Sequence, residues 1–256
     1  MDWAKCSHQN SAFLLLDFEK AYDRVEWKFI IMMLQSFGFP PFFYMVVQTL
    51  LTDACAQIEI NGSISDPFPL SRSIRQGCPL APALFVIAAE ALYYILRDDS
   101  LSPKVRGLHL PNNEELINSH FADDTAIFFE LSDDNLKNLQ IKLDLFCAIS
   151  GAKISQAKSI CLGWTDQPPN WFFQHKFQWG GPKNIVKYLG IPYSVDPSLK
   201  DMWAWVKAKI ENRLNKWFNR SLSLVGRFQV CQKLLSSYSI YYSSSWMFNN
   251  YQILEI

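Results

Sequence analysis

Runs and alternations of apolar residues divide the first two-thirds of the chain into short strands and helices. A continuous apolar run at residues 12–16 ends at Asp17 and predicts a buried strand. The pair Asn61-Gly62 predicts a tight hairpin, because both positions of such a turn need positive φ angles. Further strands are predicted at residues 105–110, 116–121, 125–130, 159–163 and 187–193, and helices at 26–37, 41–51, 82–97 and 133–149.

Beyond about residue 195 the pattern is helical throughout. Helices are predicted at residues 198–218 and 225–242, and residues 167–182, rich in Pro, Trp and Gly, are expected to form a loop. Mixed strands and helices followed by helices alone predict an α+β domain with a small helical appendage. We therefore expect a first domain at residues 1–195 and a second at 196–256.

The composition predicts a folded hydrophobic core and restricts the cellular location of the protein. Hydrophobic residues make up 49% of the 256 positions, which argues against disorder. The six cysteines form no CxxC pair and no zinc-ligand spacing with histidine. The first residues are polar, and no apolar run approaches about 20 residues. These features predict a nuclear or cytoplasmic protein that is not secreted and has no membrane partner.

The charge is strongly polarised along the chain although its sum is zero. Residues 1–150 hold 11 Lys/Arg against 19 Asp/Glu, a balance of −8, and residues 151–256 hold 13 against 5, a balance of +8. An acidic part joined to a basic part is typical of a metal-binding region next to a region that holds a polyanion. The alternative is two regions whose solvated surfaces simply differ in charge.

Two adjacent acids, Asp123 and Asp124, lie between apolar strands. In mid-strand one of them would enter the core, so a hairpin turn is the expected location. If the strand that ends at Asp17 lies beside this hairpin, Asp17 and Asp123 converge at one end of a sheet. Carboxylate oxygens suit Mg²⁺, and two such ions can clamp the oxygens of a phosphoryl transfer. A solvated acidic turn without function is the alternative.

Five blocks of the sequence form a recognisable series along the chain: residues 16–25, 75–82, 121–124, 150–159 and 187–192. In this order they resemble the reverse transcriptases of non-LTR (LINE-type) retrotransposons. The segments around Asp17 and Asp123 resemble the two catalytic motifs of that family, and the other three resemble its loop-to-helix motif, its fourth motif and its primer-grip region.

The resemblance implies a polymerase palm, built from an antiparallel sheet with packed helices, and a helical thumb-like region after it. It implies an RNA-directed DNA polymerase that adds dNTPs to a DNA primer on an RNA template. Asp17 and Asp123 would be the main ligands of two Mg²⁺ ions, with Asp124 beside them. The oligomeric state is not predicted.

The resemblance also assigns neighbours to this site. Phe18, Tyr22, Gln76 and Gly77 would contact the nucleotide, with the Tyr22 ring excluding a 2′-hydroxyl group and Gly77 allowing close backbone approach. Lys158 would protonate the pyrophosphate leaving group as a general acid. The alternatives are core packing for Tyr22, a surface amide for Gln76 and a solvated lysine for Lys158.

Basic residues along the last helices could neutralise the phosphates of a primer–template duplex. An amphipathic helix whose charges meet only water is the alternative, and both can hold. The residues expected to bind nucleic acid are Lys207, Lys209, Arg213, Lys216 and Arg227.

Only sixteen residues precede Asp17, so the basic finger motifs that the family carries upstream are not expected in this chain. Since positioning contributes much of phosphoryl-transfer catalysis, activity does not follow from the acids alone. Two further hypotheses therefore stand beside the polymerase: a truncated, catalytically inactive nucleic-acid-binding remnant of a retrotransposon, and an inert relic that does not fold stably.

Overall fold

The computed structural model of the protein describes residues 4, 6–74, 77–121, 123–196, 198–218 and 220–243. The chain forms two compact units, Met1–Gly181 and Pro182–Ile256. The predicted domain boundary near residue 195 stays a prediction. No helix among the described residues is long and apolar enough to cross a membrane.

The strands are short apart from β1, β8 and β9. Within the described residues they are β1 (Ser11–Leu16), β2 (Cys55–Ala56), β3 (Glu59–Ile60), β4 (Ser63–Ile64), β5 (Phe68–Pro69), β6 (Leu108–His109), β7 (Glu115–Leu116), β8 (Asn118–Phe121), β9 (Asp124–Glu130), β10 (Ile160–Leu162), β11 (Gln178–Gly180), β12 (Val186–Tyr188) and β13 (Ile191–Tyr193).

The longer helices of the first unit follow the predicted ranges closely. The described α-helices are α1 (Ala21–Arg24), α2 (Trp27–Ser36), α3 (Pro41–Leu51), α4 (Ala81–Arg97), α5 (Asp133–Ser150), α6 (Leu199–Phe218), α7 (Leu224–Val230) and α8 (Ser236–Ser243). A 3₁₀ helix at Asn170–Gln174 and a π-helical stretch at Cys231–Leu235 complete the set.

The main sheet of the first unit has the strand order β11-β10-β1-β9-β8. Its central strand β1 is fully buried and pairs antiparallel with both β9 and β10. Leu14 pairs with Ile127 and Leu16 with Thr125, so these residues share one face of the sheet. That core face belongs to the hydrophobic cluster that also holds Leu92 and Leu143, from helices α4 and α5.

The helix ends follow local rules that the sequence signalled. The Ser132 side chain accepts a hydrogen bond from the Asn135 amide at 3.3 Å and so caps α5 at its N-terminus. Gly151 ends this helix with a φ of 75°. Asn61 and Gly62 have φ angles of 51° and 82°, which confirms the predicted hairpin between β3 and β4.

Three predictions for the first unit were wrong in part. The expected strand at 105–110 shrinks to β6, and the expected strand at 116–121 divides into β7 and β8. The expected loop at 167–182 contains β11, which pairs parallel with β10. A Cβ atom on Gly163 would lie 2.1 Å from the Trp179 ring, so this glycine leaves room for the ring of β11. No local periodicity announces a pairing of this kind.

The second unit contains a β-hairpin and the last helices. The expected strand at 187–193 is the hairpin β12–β13, which turns at Leu189 and Gly190, with φ angles of 50° and 82°. The expected helix at 225–242 is α7 and α8 joined through the π-helical stretch. A small buried cluster of Trp203, Val206 and Tyr242 lies within this unit.

Candidate active site

The acids that the sequence singled out lie at the same end of the main sheet. Because Leu16 of β1 pairs with Thr125 of β9, the next positions along the two strands are Asp17 and Asp124. Asp123 lies in the turn between β8 and β9, next to the closing pair of Phe121 and Asp124. Asp17 is partly exposed, and the other two acids are exposed. The predicted hairpin turn and the neighbouring strand end are therefore both present.

The backbone of Asp17 is fixed by the loop that follows α5. Its amide donates to the Ser159 hydroxyl at 3.1 Å, and its carbonyl accepts from the Ser155 amide at 2.8 Å. One residue later, Phe18 forms a β-bridge with Ile154. Such contacts extend the sheet beyond β1 and hold the acid at a defined place.

Lys158 lies on the same loop, and its ammonium group is 3.8 Å from Oδ1 of Asp17. Because the lysine side chain is 72% exposed, solvent screens this pair and little stability comes from it. The pair matters for its geometry, because it places the ammonium group of Lys158, a mobile proton donor, close to the Asp17 carboxylate. The neighbouring pair of Lys153 and Glu19, at 3.0 Å, fixes the same loop to the residues after β1.

The aromatic residues that follow Asp17 pack against helices α4 and α5. The Tyr22 ring is half-buried and stacks on Phe85 of α4, with centroids 4.4 Å apart and planes at 23°. Phe18 contacts Phe146 of α5 at 6.1 Å, edge to face. The stack on Phe85 holds the Tyr22 ring in a fixed position. This agrees with a role in core packing and equally with a role as a steric barrier.

The loop-to-helix motif is only partly described. Gly77 has a φ of 86°, a left-handed backbone conformation that favours glycine, and open space surrounds the position of a Cβ atom. Gln76 lies outside the described residues. The nucleotide-contacting roles of both residues stay predictions.

A group of interacting polar side chains behind the acidic turn was not predicted from the sequence. The His120 ring contacts the Asn118 amide group through Nε2 and the Thr125 hydroxyl through Nδ1, the latter at 3.0 Å. The Arg97 guanidinium donates to the Asn118 side-chain oxygen. Burial, and secondarily the charge of Arg97, lowers the pKa of His120 to about 4. The signal was the polar alternation of Asn118 and His120 on a strand face that should be apolar.

Carboxylate oxygens are donors that a hydrated divalent ion such as Mg²⁺ accepts, and the described residues form no closed metal cage. No group of three His, Cys, Asp or Glu side chains that could hold a metal ion occurs in the described part of the chain. Mg²⁺ commonly uses one or two carboxylates and takes water and substrate phosphates as its other ligands. Asp17, Asp123 and Asp124, exposed at a strand end and a turn, are compatible with that mode.

The basic residues expected to bind nucleic acid are in the second unit and differ in exposure. Lys207, Arg213 and Lys216 are exposed along α6. Lys209 instead donates to the Tyr242 hydroxyl at 2.9 Å and lies 4.9 Å from the Trp205 ring centroid. The Arg227 side chain, exposed on α7, donates to the Leu222 carbonyl at 3.3 Å. Nucleic-acid binding by all of these residues stays a prediction.

Sequence comparison decides the family. Residues 2–193 match the family described as "Reverse transcriptase (RNA-dependent DNA polymerase)". The chain belongs to the reverse transcriptase family. The transposon TX1 149 kDa protein of Xenopus laevis is similar, being 30% identical over 93% of this chain, which spans 18% of that protein. The Pol polyprotein of the retrotransposable element R2DM of Drosophila melanogaster is 30% identical over 63% of this chain and 15% of its own length.

These relatives confirm the resemblance to non-LTR retrotransposon reverse transcriptases. The chain spans less than a fifth of the length of either relative. Telomerase from Candida albicans, solved in complex with a fragment of telomeric RNA, shares the fold. Its TM-score is 0.54 at 11% identity, over 99% of this chain and 43% of that one. The predicted α+β class with a polymerase palm is thereby confirmed.

Proposed function

We propose that this reverse transcriptase domain is an RNA-directed DNA polymerase that transfers nucleotides onto a primer 3′-hydroxyl group. The observation that supports the proposal is the β1–β9 register, which pairs Leu16 with Thr125 at the end of the sheet. Asp17 follows Leu16 directly, Asp124 precedes Thr125, and Asp123 lies in the adjoining turn. Family membership supports the reaction class. The alternative of a solvated acidic turn without function does not explain this arrangement. It gives no reason for the strand before Asp17 to end beside the strand that begins at Asp124, 107 residues later.

In this proposal Asp17, Asp123 and Asp124 hold two Mg²⁺ ions. When bound, the ions would supply charge stabilisation for the attacking and leaving oxygens of the transfer. The contribution of the chain is to fix the carboxylates, through the Ser159 and Ser155 bonds to Asp17 and the pairing of β8 with β9.

Lys158 is proposed as the general acid that gives a proton to the pyrophosphate leaving group. Its exposed ammonium group, 3.8 Å from Asp17, is close to the acids and free to move toward a bound phosphate. The pair with Asp17 is long and solvated, so the cost of leaving it is small.

A dNTP is proposed to lie against Phe18, Tyr22, Gln76 and Gly77, paired to an RNA template beside a DNA primer. The rigid stack of Tyr22 on Phe85 supports a steric role, because a fixed ring penalises one extra oxygen on the sugar more than a mobile ring does. Residues 1–195 are proposed as the palm and residues 196–256 as the thumb-like region.

Primer extension on an RNA template with Mg²⁺ and dNTPs tests the proposal. The Asp123→Asn variant should lose at least about a hundredfold of the rate, because it removes a carboxylate charge from the site. The matched control is Asp66→Asn, an exposed acid in the loop after β4, which should extend at the wild-type rate. Equal extension by wild type and Asp123→Asn, or none by wild type, refutes the polymerase proposal for this chain.

A second candidate function is nucleic-acid binding without catalysis. The exposed basic residues Lys207, Arg213 and Lys216 of α6 favour it. Binding to a primer–template duplex should then weaken steeply with salt, and Lys216→Gln should lower the salt slope by about one unit. Lys209→Gln is the informative partner variant, because its ammonium group already contacts Tyr242 and should matter less for binding. A salt-independent affinity would reject this candidate.

A further inference from the structure

Four polar side chains form a connected group behind the acidic turn, which we call the His120 clamp. It consists of Arg97 from α4, Asn118 and His120 from β8, and Thr125 from β9. Asn118 and Thr125 are buried. The Arg97 guanidinium is itself placed over the Tyr93 ring, 4.0 Å from its centroid. A buried polar group of this kind needs every member to be satisfied.

The direction of each hydrogen bond in the clamp follows from its first member. Arginine carries donors only, so the Asn118 atom facing Arg97 is the oxygen. The Asn118 amide nitrogen therefore faces His120 and donates to Nε2. The proton of a neutral imidazole must then be on Nδ1, which donates to the Thr125 hydroxyl at 3.0 Å. The chain of contacts thus selects one of the two neutral tautomers.

The clamp closes the hairpin one row before the acids. His120 pairs with Thr125 across β8 and β9, and Thr125 pairs with Leu16 of β1. The next row pairs Phe121 with Asp124, and Asp17 directly follows Leu16 at the end of β1. The His120–Thr125 bond is therefore a side-chain link between the two strands directly beneath the turn that carries Asp123.

We propose that His120 is a positioning residue, which acts as a neutral Nδ1–H imidazole to hold the β8–β9 turn and so keep Asp123 and Asp124 beside Asp17. A protonated ring would set an N–H group against the Asn118 amide and break the chain of donors. The low pKa of His120 that burial produces agrees with a ring that stays neutral at working pH. The structural part of this inference stands alone, and its catalytic consequence rests on the proposed polymerase function.

The first experiment reads the tautomer directly, in the full chain labelled with ¹⁵N-histidine. The chain has 4 histidines, and the His120→Phe variant identifies the signal of His120 by its loss. At pH 7 that signal should show a protonated Nδ1 and an unprotonated Nε2. A protonated Nε2, or a doubly protonated ring, would overturn the proposal.

The second experiment tests positioning with Thr125→Val, which keeps the side-chain shape and removes the hydroxyl group. Amide hydrogen exchange at Phe121, Asp123 and Asp124 should accelerate at least tenfold, while that of Leu14 stays unchanged. The matched control is Ser119→Ala, an exposed position on the other face of β8, which should leave all four amides unchanged. Unchanged exchange at the turn in Thr125→Val would reject the positioning role.

Binding of Mn²⁺, a paramagnetic substitute for Mg²⁺, separates this inference from the proposed function. Thr125→Val should bind Mn²⁺ at least fivefold more weakly than Ser119→Ala, and equal affinities would overturn the link between clamp and acids. If the wild type neither binds Mn²⁺ nor extends a primer, the proposed function fails. The tautomer and the exchange rates at the turn then still decide whether the clamp exists.

Discussion

The two units of the chain are stabilised in different ways. In the first unit, the strand β1 has six consecutive buried residues, and helices α4 and α5 belong to the same apolar cluster. In the second unit, the described cluster is small, and polar groups on aromatic rings supplement it, as in the contact of Lys209 with Trp205 and Tyr242. The difference shows that the acids Asp17, Asp123 and Asp124 belong to the unit with the large apolar core. The basic helix α6, in contrast, is held in place by a small core and a few directional polar contacts.

The largest expected effect is a difference in the unfolding free energy lost when a core residue of each unit is truncated. Leu14→Ala, at the centre of β1, should lower the free energy of unfolding of the first unit by about 3–4 kcal/mol, because a fully buried leucine leaves a cavity. Val206→Ala in the second unit should cost about 1–2 kcal/mol, since it removes less apolar volume. Hydrogen exchange measured on peptides from each unit distinguishes them. If Val206→Ala also exposes peptides of β1, the two units unfold together and the comparison fails.

The next effect is a pH dependence that belongs to the first unit alone. The pKa of His120 is lowered to about 4, while an unfolded histidine titrates near 6.5. The unfolded chain therefore binds more protons in this window, and stability that is complete above pH 6.5 is lost as the pH falls toward 4. The loss should be about 2 kcal/mol, smaller than the full shift implies because the ring keeps some contact with solvent.

Urea unfolding of wild type and His120→Phe between pH 7 and 4 measures this effect. The variant should show a much flatter profile in that window. Asp98 and Asp133 serve as an internal reference, because hydrogen bonds lower their pKa values and neither side chain belongs to the clamp. A wild-type profile as flat as that of His120→Phe would contradict the shift and weaken the case for the clamp.

A buried lysine provides a third, smaller effect. Lys142 of α5 is buried and donates to the carbonyls of Leu96 and Asp98, at 3.3 and 3.0 Å, where α4 ends. Burial lowers the pKa of its ammonium group. Lys142→Met keeps the stem and loses both bonds, so we expect a loss of about 1–2 kcal/mol in the first unit.

The matched control for Lys142 is on the same helix. Lys137 forms an exposed pair with Asp133 at 2.5 Å, one turn apart. Lys137→Met should change stability by less than about 0.5 kcal/mol. Equal effects of the two variants in urea unfolding would show that the carbonyl contacts of Lys142 contribute nothing measurable.

Local rules of sequence predicted much of the first unit, and the exceptions share a physical cause. The helix α5 was predictable because Ser132 and Gly151 mark its ends, and the acidic turn because two adjacent carboxylates do not fit within a buried strand. Strand β11 was missed because parallel pairing with β10 is a contact between distant segments. The clamp was missed for the same reason, since Arg97 meets Asn118 only after α4 packs on the sheet.

The site shows the same limit. The sequence and its resemblance identified Asp17, Asp123 and Lys158, and the structure brings Lys158 to Asp17. No property of the sequence distinguishes Lys209 from Lys207, because both are lysines on the same predicted helix. Only the fold shows that one is exposed and the other contacts Tyr242. Spacing therefore located the candidates, and packing decides which of them are available to a ligand.

The smallest expected effect tests whether directional contacts stabilise the second unit. Tyr242 is buried, its hydroxyl accepts from Lys209 at 2.9 Å, and it donates to the Gly190 carbonyl in the β12–β13 turn at 3.4 Å. Tyr242→Phe keeps the ring and removes the oxygen, so the Lys209 ammonium group loses a partner. We expect a loss of about 1 kcal/mol in the unfolding free energy, confined to the second unit, because the Lys209 ammonium group turns to solvent and recovers part of the lost bond.

The control is Tyr238→Phe, which keeps its ring stacked on Tyr242 with the ring centroids 6.1 Å apart and should cost less than half as much. Hydrogen exchange of peptides covering residues 186–193 reads the turn directly. If Tyr242→Phe leaves these peptides as protected as Tyr238→Phe does, apolar packing alone holds the second unit, and the two units differ only in the size of their cores.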